Sequence, residues 1–205
     1  GAAFFDIIIK GKGSHAAMPH QSKDPIVIAS NLISQLQNII SRNLPPLESV
    51  VLSVTQIHSG SAYNIIPENC TINGTIRYFS EESYGIVENR FKKICQGFEL
   101  ANDINIELKI RKVFDVLVND FELSDSYMDA AEKIVGSTFI TRNESPATGS
   151  EDFADMLKHT KGAYCRIGHS ETEPLHSPNF IFDTKIIPVG ASILAKIIEE
   201  RLPKD

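Results

Sequence analysis

Alternation of apolar and polar side chains is the feature that most constrains how this chain can fold. Residues 70–78 alternate along their whole length, and residues 104–111 do so again with isoleucine or leucine at every second position. The apolar face of the first stretch consists of Cys70, Ile72, Gly74, Ile76 and Tyr78. Strict alternation is typical of a strand that buries only one of its faces. The sequence therefore predicts a sheet that is covered on one side and open on the other.

Two amphipathic helices are predicted around these strands. The first begins at Asp24-Pro25, an N-cap followed by proline at the first helical position, and ends before Pro45 and Pro46. The second begins near Ser80, with acidic residues in its first turn. The predicted buried stripes are Ile28, Leu32, Leu36, Ile39 and Ile40 in the first helix, and Val87, Phe91, Ile94 and Phe98 in the second.

The order of these elements predicts a ferredoxin-like fold. Apolar, β-branched runs at about 4–11 and 49–58 supply two further strands. The resulting order, βαββαβ, is that of a split-βαβ sandwich with both helices on one face of the sheet. Arg77 alternates with Ile72 and Ile76, so its side chain is expected on the open face. An ordinary solvated arginine is the alternative there.

The pattern changes beyond residue 116, so we divide the chain into domains 1–115 and 116–205. In the second domain we predict helices over 122–136 and 185–202, a loop before a helix at 148–162, and short strands at 139–141 and 163–169. The last helix is expected to turn Ile186, Ile193, Ile197 and Ile198 inward. Two short strands cannot cover three helices well, so a partner for these strands is expected to lie elsewhere.

Composition excludes several classes of partner. The formal net charge is −6 without a basic tract, which argues against nucleic acid and anionic membranes. No apolar run approaches the roughly 18 residues of a membrane span, and the first residues lack the features of a signal peptide. The three cysteines form no CxxC pair, which suits a reducing, cytoplasmic setting.

Four segments contain candidate functional residues. They are "GKGSHAAMPH", "GSAYNIIPEN", "TGSEDFADM" and "PLHSPNF". Glycines before His15 let the backbone approach a ligand closely, although a plain turn histidine is the ordinary interpretation. Asn64 is equally typical of a turn, and the carboxylates of the third segment are typical of a helix cap. His176 lies between Pro174 and Pro178, so we expect a fixed, extended backbone that suits a metal ligand or a general base.

Together, and in this order, the four segments resemble the M20 family of metal-dependent amidohydrolases and peptidases. The most similar group is the N-acyl-amino-acid hydrolases, which includes hippurate hydrolases, indole-acetyl-amino-acid hydrolases and N-acetyldiaminopimelate deacetylases. The resemblance rests on "FDIIIKGKGSHAAMPHQSKDPI", "SAYNIIPENCTINGTIRYF", "GSEDF" and "PLHSPNF". The histidine turn departs slightly, because it reads Gly13-Ser14-His15-Ala16 where the family has two glycines before the histidine.

The resemblance implies a fold and a set of site residues. Residues 1–115 would be a ferredoxin-like lid that also dimerises, and 116–205 the C-terminal portion of an α/β zinc-peptidase catalytic domain. His15 matches the lid histidine that crosses to the partner's active site and stabilises the oxyanion of the tetrahedral intermediate. Asn64 and Arg77 match lid or hinge positions that contact the substrate.

Two further segments match the family's catalytic domain. Gly149 and Ser150 match a loop that contacts the substrate, and His176 matches the last ligand of a centre with two divalent ions, zinc or manganese. The family's other ligands and its catalytic glutamate precede the lid, whereas this chain begins at the first lid strand. We therefore expect part of a hydrolase, which alone neither retains the metals nor catalyses.

The complete enzyme is expected to be a homodimer that cleaves the amide bond of N-acyl amino acids by metal-activated water. Di- or tripeptides are the alternative substrates. A dimerising or ligand-binding module without catalysis is the alternative function.

Overall fold

A computed structural model describes residues 1–169 and 173–202 of the chain. It divides into two compact units. The N-terminal unit comprises Gly1–Leu117 with Thr148–Asp152, and the C-terminal unit comprises Val118–Ala147 with the described part of Phe153–Asp205. Within the described ranges, none of the helices has the length and apolar character that crossing a membrane requires.

The N-terminal unit has the predicted βαββαβ order, with one small addition. Its elements are β1 (Ala2–Lys10), β2 (Ser14–His15), α1 (Pro25–Asn43), β3 (Val50–Ser59), β4 (Ile65–Ile66), β5 (Asn69–Tyr78), α2 (Glu81–Asn102) and β6 (Asn105–Phe114). Four strands form an antiparallel sheet in the order β3-β5-β1-β6, and β2 pairs with β4 in a separate two-stranded sheet. The predicted mixed α/β fold is thus confirmed, whereas the small sheet was not predicted.

The helix boundaries follow from the capping residues that the sequence indicated. The Asp24 carboxylate accepts hydrogen bonds from the N–H groups of Ile26 and Val27, at 2.9 and 3.4 Å. Ser80 caps α2 by accepting from the Ser83 N–H at 3.1 Å. Each cap satisfies backbone donors that a helix cannot satisfy internally, which fixes where the helix begins.

The core of this unit lies between the sheet and the two helices. Phe5 of β1 packs against Phe91 of α2, with ring centroids 4.9 Å apart. Gly74 lies beside this pair, where an added Cβ would be 2.2 Å from the Ser53 carbonyl oxygen and 2.3 Å from Phe5 Cζ. The alternation of β5 therefore includes a glycine because β3 and the Phe5 ring leave no room for a side chain.

The C-terminal unit contains α3 (Phe121–Val135), α4 (Phe153–Met156) and α5 (Ile186–Arg201). All three helices were predicted. The inward orientation predicted for Ile198 is wrong, because 59% of its surface is exposed, whereas Ile193 is buried as predicted.

Both strands predicted for this unit are wrong. In the first segment, Phe139 ends a 3-10 turn that spans Ser137–Phe139, and residues 140–141 have no regular secondary structure. Residues 163–169 are not a strand, and the side-chain amide of Asn119 brackets Tyr164 by donating to its carbonyl at 2.9 Å and accepting from its N–H at 2.8 Å. A strand needs a neighbouring strand to pair with, and the described residues of this unit form no strand.

Candidate functional site

The small β2–β4 sheet brings together two of the segments singled out in the sequence. His15 is paired with Ile65 and Ser14 with Ile66. The Ala16 N–H donates to the Asn64 carbonyl at 2.9 Å. His15 and Asn64, which are far apart in sequence, therefore lie beside each other at one end of the N-terminal unit.

Glycines on the approach to His15 are required by close backbone contacts. A Cβ on Gly11 would lie 2.2 Å from the Lys23 carbonyl oxygen, and one on Gly13 would lie 2.8 Å from the Ile66 carbonyl oxygen. Both distances are too short for any side chain. The small residues of this segment thus allow the histidine turn to lie directly against two neighbouring backbones.

The His15 imidazole is exposed, and a hydrogen bond to one of its ring nitrogens fixes its orientation. Its Nδ1 accepts a hydrogen bond from the Ala17 N–H at 3.1 Å. In the neutral imidazole an accepting Nδ1 requires the proton on Nε2. The turn therefore presents Nε2–H to the surroundings as a hydrogen-bond donor.

Ser14 also contributes to this turn, and sequence reasoning missed it. Its hydroxyl lies 3.2 Å from the carbonyl oxygens of both His15 and Met18, which share its single proton as acceptors. The Met18 N–H closes the turn by donating to the His15 carbonyl at 2.8 Å. The only sequence signal was the serine in place of the family's second glycine.

Arg77 lies on the open face of the sheet, as alternation predicted. The guanidinium carbon is 5.9 Å from the centre of the Phe4 ring, in a cavity of about 410 Å³. Its Nη1 is buried, and among residues 1–169 and 173–202 it has no hydrogen-bond partner. The neighbouring Arg111 is instead paired with Asp6 at 3.0 Å. Arg77 therefore has a buried donor that no described residue uses, which distinguishes it from an ordinary solvated arginine.

Arg77 lies beside the start of β1 in the four-stranded sheet, whereas His15 follows the end of β1 in the chain. The Arg77 guanidinium stacks over Phe4, whereas the chain leaves β1 at Lys10, six residues further along the strand. At about 3.3 Å per residue, this part of β1 spans roughly 20 Å. Beyond Lys10, the Gly11 N–H still bonds to the Glu68 carbonyl at 2.8 Å, which leads the backbone on towards His15.

Gly149 and Ser150 lie in the short segment that groups with the N-terminal unit. Gly149 is exposed. The Ser150 hydroxyl is buried without a hydrogen-bond partner in the described part of the chain. A buried hydroxyl with an unused donor is available to a ligand, although nothing in the geometry of this unit specifies which one.

The backbone predicted for His176 is wrong. His176 has φ = 72°, which is left-handed rather than extended. The Ser177 N–H donates to the Pro174 carbonyl at 3.1 Å, so His176 is the third residue of a turn. Proline restricts the residue before it, which here means Glu173 and Ser177 and leaves His176 free. The side chain is nevertheless exposed and able to bind a ligand.

The candidate metal ligand His176 lies in no cluster of metal-binding side chains within the described ranges. Among the described residues, no group of three or more His, Cys, Asp or Glu side chains could hold one. A catalytic zinc site ordinarily takes three protein ligands, and His176 is the one candidate here. We therefore assign no chemical step to a metal held by this chain.

Comparison with known proteins identifies the family. Residues 1–101 match the family model described as the peptidase dimerisation domain of M20 proteins. A solved structure of the Bacillus subtilis YXEP protein, a dinuclear metal-binding peptidase of the M20 family, is similar to the whole chain with a TM-score of 0.77 and 25% identity. The chain contains an M20 peptidase dimerisation domain. It covers 51% of that structure.

Curated M20 relatives match over nearly the whole chain. The hippurate hydrolase of Campylobacter jejuni is 35% identical over 94% of this chain and 50% of its own length. The N-acetyldiaminopimelate deacetylase of Anoxybacillus flavithermus is 35% identical over 95% of this chain and 50% of its own length. The chain thus spans about half the length of the curated relatives it matches, and these relatives are hydrolases.

Proposed function

We propose that this chain is the dimerising and substrate-orienting part of an enzyme that hydrolyses the amide bond of N-acyl amino acids. The observation that carries the proposal is a pair of donors that no described residue uses, His15 Nε2–H in an exposed turn and the buried Arg77 Nη1. A substrate of this class has a carbonyl oxygen that becomes an oxyanion and a carboxylate that stays charged. The names of the relatives, hippurate hydrolase and N-acetyldiaminopimelate deacetylase, agree with this substrate class.

In this proposal each donor has one role. His15 donates from Nε2 to the oxygen of the scissile carbonyl, where negative charge develops in the transition state, and the adjacent Asn64 contacts the substrate from the same end. Arg77 binds the substrate carboxylate, because a guanidinium can donate two parallel hydrogen bonds to a carboxylate. Gly149 and Ser150 would line the site, with the Ser150 hydroxyl as a further donor.

We infer from the length of β1 between these donors that two copies of the chain form one site. An N-acyl amino acid is about as long as an extended dipeptide, ~7 Å. Even with a hydrogen bond of ~3 Å at each end, it cannot bridge a strand segment of roughly 20 Å. One site would therefore use Arg77 of one protomer and His15 of its partner, which makes the homodimer part of the catalytic arrangement.

The charge distribution of the N-terminal unit favours one edge of its sheet for this dimer. Strand β3 (Val50–Ser59) forms one edge and contains no Asp, Glu, Lys or Arg. In the adjacent α1, residues 25–41 contain none either. Ile57 of β3 is 50% exposed and Val27 of α1 is 54% exposed. An uncharged edge with exposed apolar side chains is a template for pairing with another strand.

The opposite edge has the features of a strand that stays unpaired. The charged side chains of β6 are Glu107, Lys109, Arg111 and Lys112, and those of the neighbouring α2 are Glu81, Glu82, Glu88, Arg90, Lys92, Lys93 and Glu99. Charges along an edge strand oppose pairing with a second copy. We therefore place the dimer contact on β3 and α1, with two copies of β3 side by side.

The metal centre and the cellular location complete the proposal. A full-length protein would hold two divalent ions, zinc or manganese, with His176 as one ligand beside residues outside this chain. The dinuclear M20 neighbour supports two ions. The three cysteines are free, and Cys70 and Cys95 are buried as thiols, which suits a reducing compartment such as the cytoplasm.

Substrate charge provides the test of the proposed function. A full-length protein carrying this chain should hydrolyse N-benzoylglycine and N-acetyl amino acids, and should hydrolyse the neutral N-benzoylglycinamide poorly. The Arg77→Ala variant should lose activity on the acid and keep what activity there is on the amide. Arg111→Ala is the matched control, because that arginine is already paired with Asp6. Faster turnover of tripeptides would favour the peptide alternative, and no hydrolysis at all would favour a module without catalysis.

The proposed interface has a separate test in the 205-residue chain. Ile57→Lys places a charge on the β3 edge, and Val113→Lys does the same on β6, where Val113 is 38% exposed. Light scattering at micromolar concentration should show a dimer for the native chain and the Val113 variant, and a monomer for the Ile57 variant. The opposite pattern would assign the interface to β6.

A further inference from the structure

Ser14 is the residue by which the histidine turn of this chain departs from the family's usual sequence. The turn from His15 to Met18 is closed by one backbone hydrogen bond of 2.8 Å between these two residues. The Ser14 hydroxyl adds a second closure, since it lies 3.2 Å from the carbonyl oxygens of both His15 and Met18. Ser14 itself is anchored in the small sheet by its pairing with Ile66.

The same turn controls the tautomer of His15. The Ala17 N–H, two residues on, reaches Nδ1 at 3.1 Å only while the turn is closed. If the turn opens, Nδ1 loses its donor, and the proton of the neutral ring is free to move to Nδ1. The state of the turn therefore decides whether Nε2 carries the proton, which is what an oxyanion donor needs.

We propose that Ser14 is a positioning residue for His15: its hydroxyl holds Met18 in the closed turn, and the closed turn fixes His15 as the Nε2–H tautomer. This inference rests on the proposed function of His15, but its physical content is a property of the turn. Two flexible glycines would leave the turn to backbone hydrogen bonds alone, whereas a serine adds a side-chain bond to them.

Nuclear magnetic resonance of the 205-residue chain tests this without any assay of activity. The chain is labelled with ¹⁵N-histidine, and the resonances of His15 are assigned among the six histidines with a His15→Gln variant. Spectra at pH 9 report the tautomer of the neutral rings. The native chain should show His15 protonated on Nε2. In Ser14→Ala the other tautomer should become populated, and hydrogen exchange at the Ala17 amide should become about two- to tenfold faster, as loss of one hydrogen bond allows.

Two further variants separate positioning from a general loosening of the loop. Ser14→Thr keeps the hydroxyl and should restore the native tautomer and exchange rate. Ser22→Ala removes an equivalent bond, from the Ser22 hydroxyl to the Pro19 carbonyl at 2.7 Å, and should leave His15 unchanged. A His15 spectrum that is the same in the native chain and Ser14→Ala, or a Ser22→Ala variant that disturbs His15 equally, overturns the proposal.

The two proposals fail in different ways. In a full-length enzyme, Ser14→Ala should lower kcat about two- to tenfold and leave KM nearly unchanged, because the donor matters most in the transition state. If Ser14→Ala shifts the tautomer as expected while His15→Ala keeps full activity, Ser14 positions His15 but the proposed catalytic role of His15 is wrong.

Discussion

Mixing two inactive variants tests whether His15 and Arg77 reach one substrate from different protomers. The variants are His15→Ala and Arg77→Ala in a full-length protein carrying this chain. In a mixed dimer, one site takes Arg77 from the His15→Ala protomer and His15 from the Arg77→Ala protomer, so both donors are intact. The second site lacks both donors. Activity should therefore rise on mixing, well above the residual activity of either variant alone.

The expected recovery follows from the geometry and from simple counting. Loss of one oxyanion donor lowers kcat by roughly 10²–10³. Loss of a hydrogen bond to a charged group, about 1.5–3 kcal/mol, lowers kcat/KM by roughly 10- to 150-fold. When equal amounts of the variants exchange freely, about half of the dimers are mixed and each has one intact site of two, so about a quarter of the native activity should return. That level exceeds the residual activity of either variant.

The assay is release of benzoate from N-benzoylglycine, followed before and after incubation of the mixture. Subunit exchange is verified independently with one tagged variant, by co-purification of the untagged one. A mixture of His15→Ala with Arg111→Ala is the positive control, because Arg111 is paired with Asp6 and should not be needed. If exchange is complete and activity stays at the mean of the two separate variants, one protomer supplies both donors and our distance argument is wrong.

Three further outcomes follow from the described contacts. Gly74→Ala should destabilise the N-terminal unit by about 1–3 kcal/mol, because the new Cβ would lie 2.2 Å from a backbone oxygen. The control is Gly97→Ala, whose Cβ meets nothing within 4 Å and which should leave stability unchanged or raise it. Denaturant unfolding of both variants measures the free energy of unfolding. Hydrogen bonds from the first N–H groups of α3 and from Lys161 lower the pKa of Asp120 below 3.8. Asp120→Asn should therefore have a smaller free energy of unfolding than the native chain at pH 7. This difference in stability should vanish as pH falls through the lowered pKa. Equal denaturation midpoints of the native chain and Asp120→Asn at pH 7 would contradict this prediction. Burial raises the pKa of Cys95 to about 12, so iodoacetamide at pH 8 should label the half-buried Cys165 well before Cys95, as mass spectrometry of the peptides would show.

The fold of the N-terminal unit could be predicted because its sequence patterns are satisfied within the unit itself. The alternation of β5 corresponds residue by residue to burial against α1 and α2, and Asp24 and Ser80 cap the helices where the sequence indicated. The small β2–β4 sheet could not be predicted in this way. Two-residue strands show no periodicity, and their pairing depends on contacts between segments about 50 residues apart.

The candidate site was predictable in its residues more than in its geometry. Alternation alone placed Arg77 on the open face, but it could not show that Nη1 has no partner in the described part of the chain while the nearby Arg111 is paired. The segment around His15 was recognisable by its glycines. The bond from the Ala17 N–H to Nδ1, which decides what the histidine can donate, depends on turn geometry that neither periodicity nor the glycines of the segment reveal.

The errors in the C-terminal unit have a common physical cause. An apolar, β-branched run predicts burial, but it becomes a strand only when another backbone is available for pairing. In residues 163–169, where Tyr164, Cys165 and Ile167 are apolar, the side chain of Asn119 supplies the hydrogen bonds at Tyr164 that a neighbouring strand would otherwise supply. Ile198 is exposed on α5 for a related reason, since amphipathic spacing predicts a buried face without identifying what covers it. A test is to add, in trans, the remaining half of a relative's catalytic domain. Protection of the Tyr164 amide from hydrogen exchange should rise if residues 163–169 then pair as a strand, and unchanged protection would mean that the Asn119 arrangement is the final one.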